Sequence, residues 1–564
     1  MRTFGWMMLV SILAAQIACS DGRNSAPSAT PDAPAPTTAA PGRPNILVIV
    51  ADDLGITDLG AFGGEIATPN LDALADAGLM LTGFHTAPTC SPTRSMLLTG
   101  TDNHVAGVGA MAEYLEIEAP ENLGQPGYEG YLNDSVVPLA ELLQDAGYRT
   151  YMTGKWHLGQ DDAHSPASKG FDRSYALLNG GAGHFTSMGL FESEATARFR
   201  EDGVLVELPE NFYSTRFYAQ RMIEYIGEPR AAGQPFFGYL AFTAPHWPLQ
   251  APADSIARQH GRYDDGYEAL YYRRVDRLKS LGLIAQDMDA SAYAPTRPAW
   301  SSLSEEQKAA SARTMEIYAA MVADLDHYVG EVISALKANN EYDNTLILFM
   351  SDNGAQGNLY YPGVQEWMAQ CCDNSYENLG KPDSYVLYGD VWARVSSGIS
   401  KLFKGFTTEG GIHTPAIISF PAAGMAPGRY DEFLSVMDVM PTLLEMAATT
   451  HPGEQYKGHS VVPLQGKSFA KLLRGDRSSV HGTAFRVGWE LHGNRALREG
   501  DWKVVLTTPP AGSGQWSLYN LRDDPMELTD LAKAEPERLA ALVAAWNDYA
   551  RDNGVITETG DSAH

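Results

Sequence analysis

Two distant stretches of this 564-residue chain share one design, and that design restricts the fold more than any other feature. After Pro44, the run Asn45-Ile46-Leu47-Val48-Ile49-Val50-Ala51 is almost wholly apolar and stops at Asp52-Asp53-Leu54-Gly55. Far downstream, Thr345-Leu346-Ile347-Leu348-Phe349-Met350 stops in the same way at Ser351-Asp352-Asn353-Gly354. Continuous apolar runs of this length read as strands buried on both faces, as in a parallel sheet covered by helices. Helical patterns at Val137 to Ala146 and Ala309 to Leu336 alternate with apolar segments at Tyr148 to Met152 and Pro235 to Phe242, so the fold class is α/β with a mostly parallel sheet. A chain this long exceeds one ordinary core. The pattern changes near residue 450, where Arg495 to Leu506 and Trp516 to Leu521 read as short strands and Glu535 to Tyr549 as an amphipathic closing helix. The expected organisation is a main domain over 44–450 and a smaller C-terminal α+β domain over 451–564.

Ligands of such sheets collect beyond the carboxyl ends of the strands, which brings the two acidic pairs to one place. Alone, Asp-Asp serves equally as a helix cap and Asp-Asn-Gly as a turn. Together, Asp52, Asp53, Asp352 and Asn353 supply three carboxylates and an amide carbonyl, an all-oxygen set that suits a hard dication, Ca2+ ahead of Mg2+. The segment from Thr89 to Gly100 carries a helix start near Ser91 and Pro92 and a stop at Gly100. Cys90 and Arg94 are four apart and share a face at its N-terminus, where the guanidinium is placed to pair with an oxyanion. A soft thiolate is a poor neighbour for a hard, oxygen-liganded ion, so Cys90 calls for chemical modification.

Further cations follow the strands. Lys155 and His157 stand two apart, which puts both on one side of an extended segment. His246 precedes Trp247-Pro248, and Lys404 lies in a Gly-rich connection leading to an apparent strand at Ala416 to Phe420. Trp156, Trp247, Tyr360 and Tyr361 fit either a leaving-group pocket or ordinary packing. Cys371 and Cys372 fit a vicinal bridge or two thiols.

A formal charge of -28 argues against nucleic-acid binding, which needs a basic face, and no internal apolar run is long enough to cross a bilayer. At the front, Met1-Arg2 precedes an apolar run from Phe4 to Ala18 that suits a signal peptide over 1–18. Residues 19–43 read as a disordered Pro-, Ala- and Thr-rich linker that opens on Cys19. Two readings stand: a lipid anchor through Cys19, giving a periplasmic or outer-membrane lipoprotein, and plain cleavage near Ala18, giving a secreted protein. Gln16, where lipoprotein signals carry an aliphatic residue, departs from the first pattern.

The run Cys90-Ser91-Pro92-Thr93-Arg94, extended through Leu97-Leu98-Thr99-Gly100, resembles the C-x-P-x-R signature of the type I, formylglycine-dependent sulfatases. The same family pattern covers Asp52-Asp53-Leu54-Gly55, Gly154-Lys155-Trp156-His157-Leu158-Gly159, Ala244-Pro245-His246-Trp247-Pro248, Ser351-Asp352-Asn353-Gly354, and Lys404 with Glu409-Gly410-Gly411. The chain looks most like the bacterial arylsulfatases of the alkaline phosphatase superfamily. The resemblance implies an alkaline-phosphatase-like mixed sheet flanked by helices, and hydrolysis of a small sulfate ester, aryl sulfate to phenol plus sulfate. It implies that a maturation enzyme converts Cys90 to formylglycine, which joins the metal ligands as a hydrate and attacks sulfur. Arg94 and Lys155 then hold the nonbridging oxygens, His246 and Lys404 bind sulfate and protonate the leaving group, and His157 takes a proton to expel sulfate. The alternatives are a phosphonate or phosphate monoester hydrolase and a noncatalytic, tethered binder of sulfated ligands. Three carboxylates around one dication leave a net negative shell, which favours a singly charged sulfate ester over a doubly charged phosphate.

Overall fold

The computed structural model describes residues 42–357 and 364–557. The signal peptide, Cys19, nearly all of the linker, Tyr360 and Tyr361 lie outside the described residues. Ten strands form the large sheet: β1 (Asn45–Ala51), β2 (Leu79–Leu81), β3 (Arg149–Lys155), β4 (Arg173–Leu177), β5 (Phe199–Glu201), β6 (Val204–Val206), β7 (Phe236–Ala241), β8 (Thr345–Ser351), β9 (Ala416–Ser419) and β10 (Gly428–Tyr430). Their order is β10-β2-β9-β8-β1-β7-β3-β4-β5-β6. The centre, β8-β1-β7-β3-β4, is parallel, and antiparallel pairs flank it at β8-β9 and β4-β5. The mixed, mostly parallel sheet expected from the two apolar runs is therefore the framework of the molecule.

Alternation along β1 shows why those runs are apolar at nearly every position. Leu47, Ile49 and Ala51 point into one core, while Ile46, Val48 and Val50 point into the other. A helix over Glu305–Ala338 covers the first face and starts at a capping box in which Ser304 accepts the Gln307 N–H. β1 and β8 are neighbours in register, Ala51 beside Ser351, so Asp52 and Asp352 emerge side by side at the same sheet edge.

The C-terminal sheet is antiparallel: β11 (Arg486–Leu491), β12 (Asn494–Glu499), β13 (Trp502–Leu506) and β14 (Trp516–Asn520). The closing helix, Pro536–Asn553, packs Leu542, Ala545 and Trp546 on Leu497, Val504 and Leu518. On the other face, Val487, Trp489, Ala496 and Val505 join the core beneath the large sheet. The small sheet is thus covered on both sides and shares one core with the large one.

Candidate active and metal site

The cysteine helix runs over Cys90–Thr99 and all ten residues are buried. Thr89 is extended at its start, and Gly100 ends it in the left-handed region at φ 65°, where an L side chain is strained. Cys90 is the first helical residue and is 1% exposed. Its Sγ has Asp52 Oδ1 (3.3 Å) and Asp53 Oδ1 (3.7 Å) within reach of its single S–H and accepts from Lys404 Nζ (3.1 Å). Burial pushes the thiol well above its usual range, Lys155 and Lys404 pulling the other way. A protonated, hydrogen-bonded thiol is an ineffective nucleophile, as the mismatch with a hard-ion site already suggested.

Three carboxylates sit around it, each with its own cation. Lys155 Nζ donates to Asp52 Oδ2 and Lys404 Nζ to Asp53 Oδ1, both at 2.7 Å. Arg94 donates through Nε and Nη2 to Asp352 Oδ2 (3.0 and 2.7 Å) and through Nη1 to the Lys155 carbonyl (2.9 Å). Burial works against ionising Asp53, but the charge of Lys404 holds it well below the carboxylate range; Asp53 in turn holds Lys404 well above the ammonium range despite burial. Burial and the neighbouring Asp52 charge raise Asp352.

Packing explains how distant motifs meet. A Cβ on Gly354 would lie 1.9 Å from the Gly410 carbonyl oxygen, and Gly354 N–H donates to the Gly411 carbonyl (3.0 Å). The Lys404 N–H donates to the Ala355 carbonyl (3.0 Å), so the turn after β8 carries the lysine loop into place. Asp53 itself sits at φ 68°, and its N–H donates to Asp352 Oδ1 (3.2 Å). Such strain in a non-glycine residue persists only where the surroundings fix it.

The sulfatase family profile matches residues 44–449, well over half of the chain. The chain belongs to the sulfatase family. A profile for the C-terminal region of N-sulphoglucosamine sulphohydrolase matches residues 400–545. An uncharacterized sulfatase of Schizosaccharomyces pombe is 45% identical over 536 residues, covering 92% of this chain and 95% of that protein. An arylsulfatase of Klebsiella aerogenes is 41% identical over 438 residues, 76% of this chain and 92% of that one. Among solved structures, Ps i-CgsB in complex with k-i-k-neocarrahexaose is similar with a TM-score of 0.63 and 25% identity, covering 91% of this chain and 94% of that one. This sulfatase is a sulfuric ester hydrolase, and its family works with a divalent metal and a formylglycine made from the cysteine.

The sulfatase's own residues fit such an ion. Asp53 Oδ2 and Asn353 Oδ1 are buried acceptors with no hydrogen-bond partner among the described residues, while Asn353 Nδ2 turns away to donate to Asp53 Oδ1 (2.7 Å). Ligand atoms of Asp52, Asp53, Cys90 and His246 lie within 4.8 Å of one another. Unpaired buried oxygens cost free energy that a hard cation offsets.

Several sequence expectations take a different form. Arg94 does not reach the cleft; fully buried, it neutralises Asp352 from behind. His157 stands at φ 59°, beyond the end of β3, so the extended geometry that would pair it with Lys155 does not hold. Lys155 turns to Asp52, and His157 Nε2 donates to Glu113 Oε2 at 3.0 Å. Because each carboxylate has a bonded cation, the shell is not net negative, and the charge count no longer separates sulfate from phosphate. His246 Nδ1 donates to the Trp247 carbonyl (2.5 Å), and Nε2 lies 3.5 Å from Asp53 Oδ2. Burial holds this imidazole well below its usual range, against the pull of Asp53. Cys371 and Cys372 form a vicinal disulfide. Trp156 is packing, its Nε1 donating to the His164 carbonyl, whereas Trp247 lines the cleft.

The cleft above Cys90 holds about 330 Å³. Sequence reasoning did not find Glu113, on the short helix Ala112–Glu118, nor Leu491 at the end of β11 and His492, Pro509 and Pro510 of the small sheet's loops, all of which line it. These residues carry no motif. His492, at φ 52° in the β11–β12 turn, stacks on Tyr114 with ring centroids 3.4 Å apart, joining the small sheet to that helix.

Proposed function

We propose that this sulfatase is an exported arylsulfatase that uses Ca2+ and acts on sulfate esters of apolar, uncharged alcohols and phenols. The observation that carries the reading is the composition of the cleft. Met111, Leu190, Phe191, Trp247, Pro509 and Pro510 form its walls, and among the described residues Lys404 is the lysine that lines it, beside three histidines and no arginine. Such walls suit an aromatic or aliphatic leaving group, and among the described residues they add no lysine or arginine beyond Lys404 for a polysulfated chain. Likeness to the Klebsiella arylsulfatase supports the same reading.

Asp52, Asp53, Asp352 and Asn353, with the residue at position 90, would hold the ion, whose chemistry is to polarise the sulfate oxygens. Lys155 donates to Asp52 and Lys404 to Asp53, which fixes the two carboxylates in place. His246 and Lys404 face the ester's charge at the cleft floor, and the Lys404 ammonium supplies the proton that the departing oxygen needs. His157 takes up a proton when sulfate leaves. Arg94 acts through Asp352 by fixing its orientation.

The deciding assay compares 4-nitrophenyl sulfate, a long-chain alkyl sulfate, a sulfated monosaccharide, 4-nitrophenyl phosphate and an aryl phosphonate. Aryl sulfate should lead, and Trp247→Ala should raise its KM several-fold. Dominant phosphonate or sugar-sulfate turnover would overturn the assignment. Metal-stripped protein should bind Ca2+ more tightly than Mg2+ in calorimetry; the reverse order removes calcium. Export rests on the apolar run Phe4 to Ala18, and lipidation on Cys19. Membrane-bound protein carrying diacylglycerol at Cys19, read by mass spectrometry, tests the anchor.

A further inference from the structure

Glu113 is a buried carboxylate with no place in the scheme above, although it lines the cleft with Cys90 and His157. Its Oε2 accepts from His157 Nε2 at 3.0 Å, with both side chains less than a tenth exposed. His157 Nδ1 is also buried, and has no hydrogen-bond partner among the described residues. A neutral imidazole carries one N–H, and a carboxylate at one nitrogen fixes it there. The other nitrogen is left with a free lone pair.

Gly180 is built around this pair. A Cβ on Gly180 would lie 2.4 Å from Glu113 Oε1, 2.8 Å from His157 Cε1 and 2.9 Å from His157 Nε2, so the backbone comes closer to the pair than any side chain allows. Glu113 is placed by its short helix, which Tyr114 holds against His492 of the small sheet. Burial works against the charge of Glu113, yet its partnership with His157 holds it at about 2, so Glu113 faces the His157 N–H as a carboxylate.

We infer that Glu113 is the positioning residue of the sulfate-release step: it holds His157 in the Nε2–H tautomer, so that Nδ1 receives the proton given up at position 90 as sulfate departs. The C–O bond to sulfate breaks with its electron pair going to sulfate, the second hydroxyl at position 90 gives its proton to Nδ1 as its oxygen closes the aldehyde C=O, and the resulting imidazolium is paired by Glu113. This rests on the sulfate-ester reading and adds to it a fixed tautomer and a partner for the charge.

The test separates positioning from mere packing. Protein that retains the unmodified Cys90 thiol is labelled with 15N in its histidine rings, and the His157 signals are identified by their loss in His157→Gln. Wild type should show the Nε2–H tautomer, and Glu113→Ala should lose that signature. In matured enzyme, Glu113→Ala should lower kcat for an aryl sulfate about 100-fold with KM changed less than about threefold, and Glu113→Gln, whose carbonyl still accepts from Nε2, should restore about tenfold. Gly180→Ala leaves both partners present but forces them apart, and should lower kcat likewise if Glu113→Ala fails to fold. An unchanged tautomer in Glu113→Ala, or wild-type kcat in both Glu113 variants, overturns the assignment. Wild-type protein that turns over no sulfate ester would defeat the sulfatase reading itself, while the tautomer measurement would still report on the pair.

Discussion

The cleft and the seam between the two sheets both bury lysine against carboxylate, and the two sets are finished differently. At the seam, Lys503 is fully buried between Glu409 Oε1 (2.7 Å) and Glu527 Oε1 (2.8 Å). Glu409 Oε2 meets His85 Nε2 (2.9 Å), and the Glu409 N–H donates to Glu527 Oε2 (2.9 Å), so each of the four oxygens has a nitrogen within 2.9 Å. In the cleft, Asp53 Oδ2 and Asn353 Oδ1 have no such partner. Buried cation–carboxylate pairs thus give a closed structural joint in one place and a site that asks for a ligand in the other. What distinguishes them is how near a nitrogen comes: Lys503 Nζ stands 2.8 Å from Glu527 Oε1, whereas His246 Nε2 stands 3.5 Å from Asp53 Oδ2.

That contrast breaks most sharply at Cys90. Cys90→Ala should cut aryl sulfate turnover by about 10⁴-fold or more, while the melting temperature, read by calorimetry, stays within about 2 °C. A large drop in melting temperature would make the cleft a structural joint too. Lys503→Met should do the opposite. It leaves Glu409 and Glu527 facing each other in the interior, which costs about 3–5 kcal/mol in chemical unfolding, with kcat for the folded fraction within about twofold. A collapse of kcat at unchanged stability would join the two clusters into one unit through the loop from Lys404 to Glu409.

A smaller effect should come from His104, a second group at the seam. It meets Asp102 (2.8 Å) and Glu490 of the small sheet (3.5 Å), and Tyr549 OH of the closing helix donates to Asp102 (2.8 Å). Burial lowers its affinity for a proton, but Asp102 and Glu490 raise it to about 9. Since the folded value lies above the unfolded 6.5, the stabilisation is complete below pH 6.5 and is lost as pH rises through 9. The loss is on the order of 3 kcal/mol at about 1.4 kcal/mol per unit. Unfolding midpoints at pH 6.5 and 9.5 should therefore differ more in wild type than in His104→Gln, and equal differences would leave His104 outside the seam's stability.

The parallel centre of the sheet and the meeting of Asp52 with Asp352 were legible because apolar strands of matched length must lie side by side, and the carboxylates follow at the next residue. The cysteine helix was legible from its stop at Gly100. Arg94 was misplaced because helical spacing says which face a side chain shares, not which neighbour claims it; Asp352, 258 residues later, does. His157 escaped the two-residue rule because the chain leaves β3 through a left-handed residue. Glu113 and Gly180 were invisible because their roles exist only where a helix, a strand end and a loop converge. The small sheet's share of the cleft wall was hidden for the same reason.

The burial of the whole cysteine helix sets an order of events during synthesis. Residue 90 is enclosed by side chains from positions 155 and 404 and by the strand that ends at 351, all made after it. Access to the thiol from solvent is therefore open only before β8 and the lysine loop dock. Any modification of the Cys90 thiol by another protein would then compete with folding. A variant that folds faster would emerge more stable, better expressed and less active per molecule.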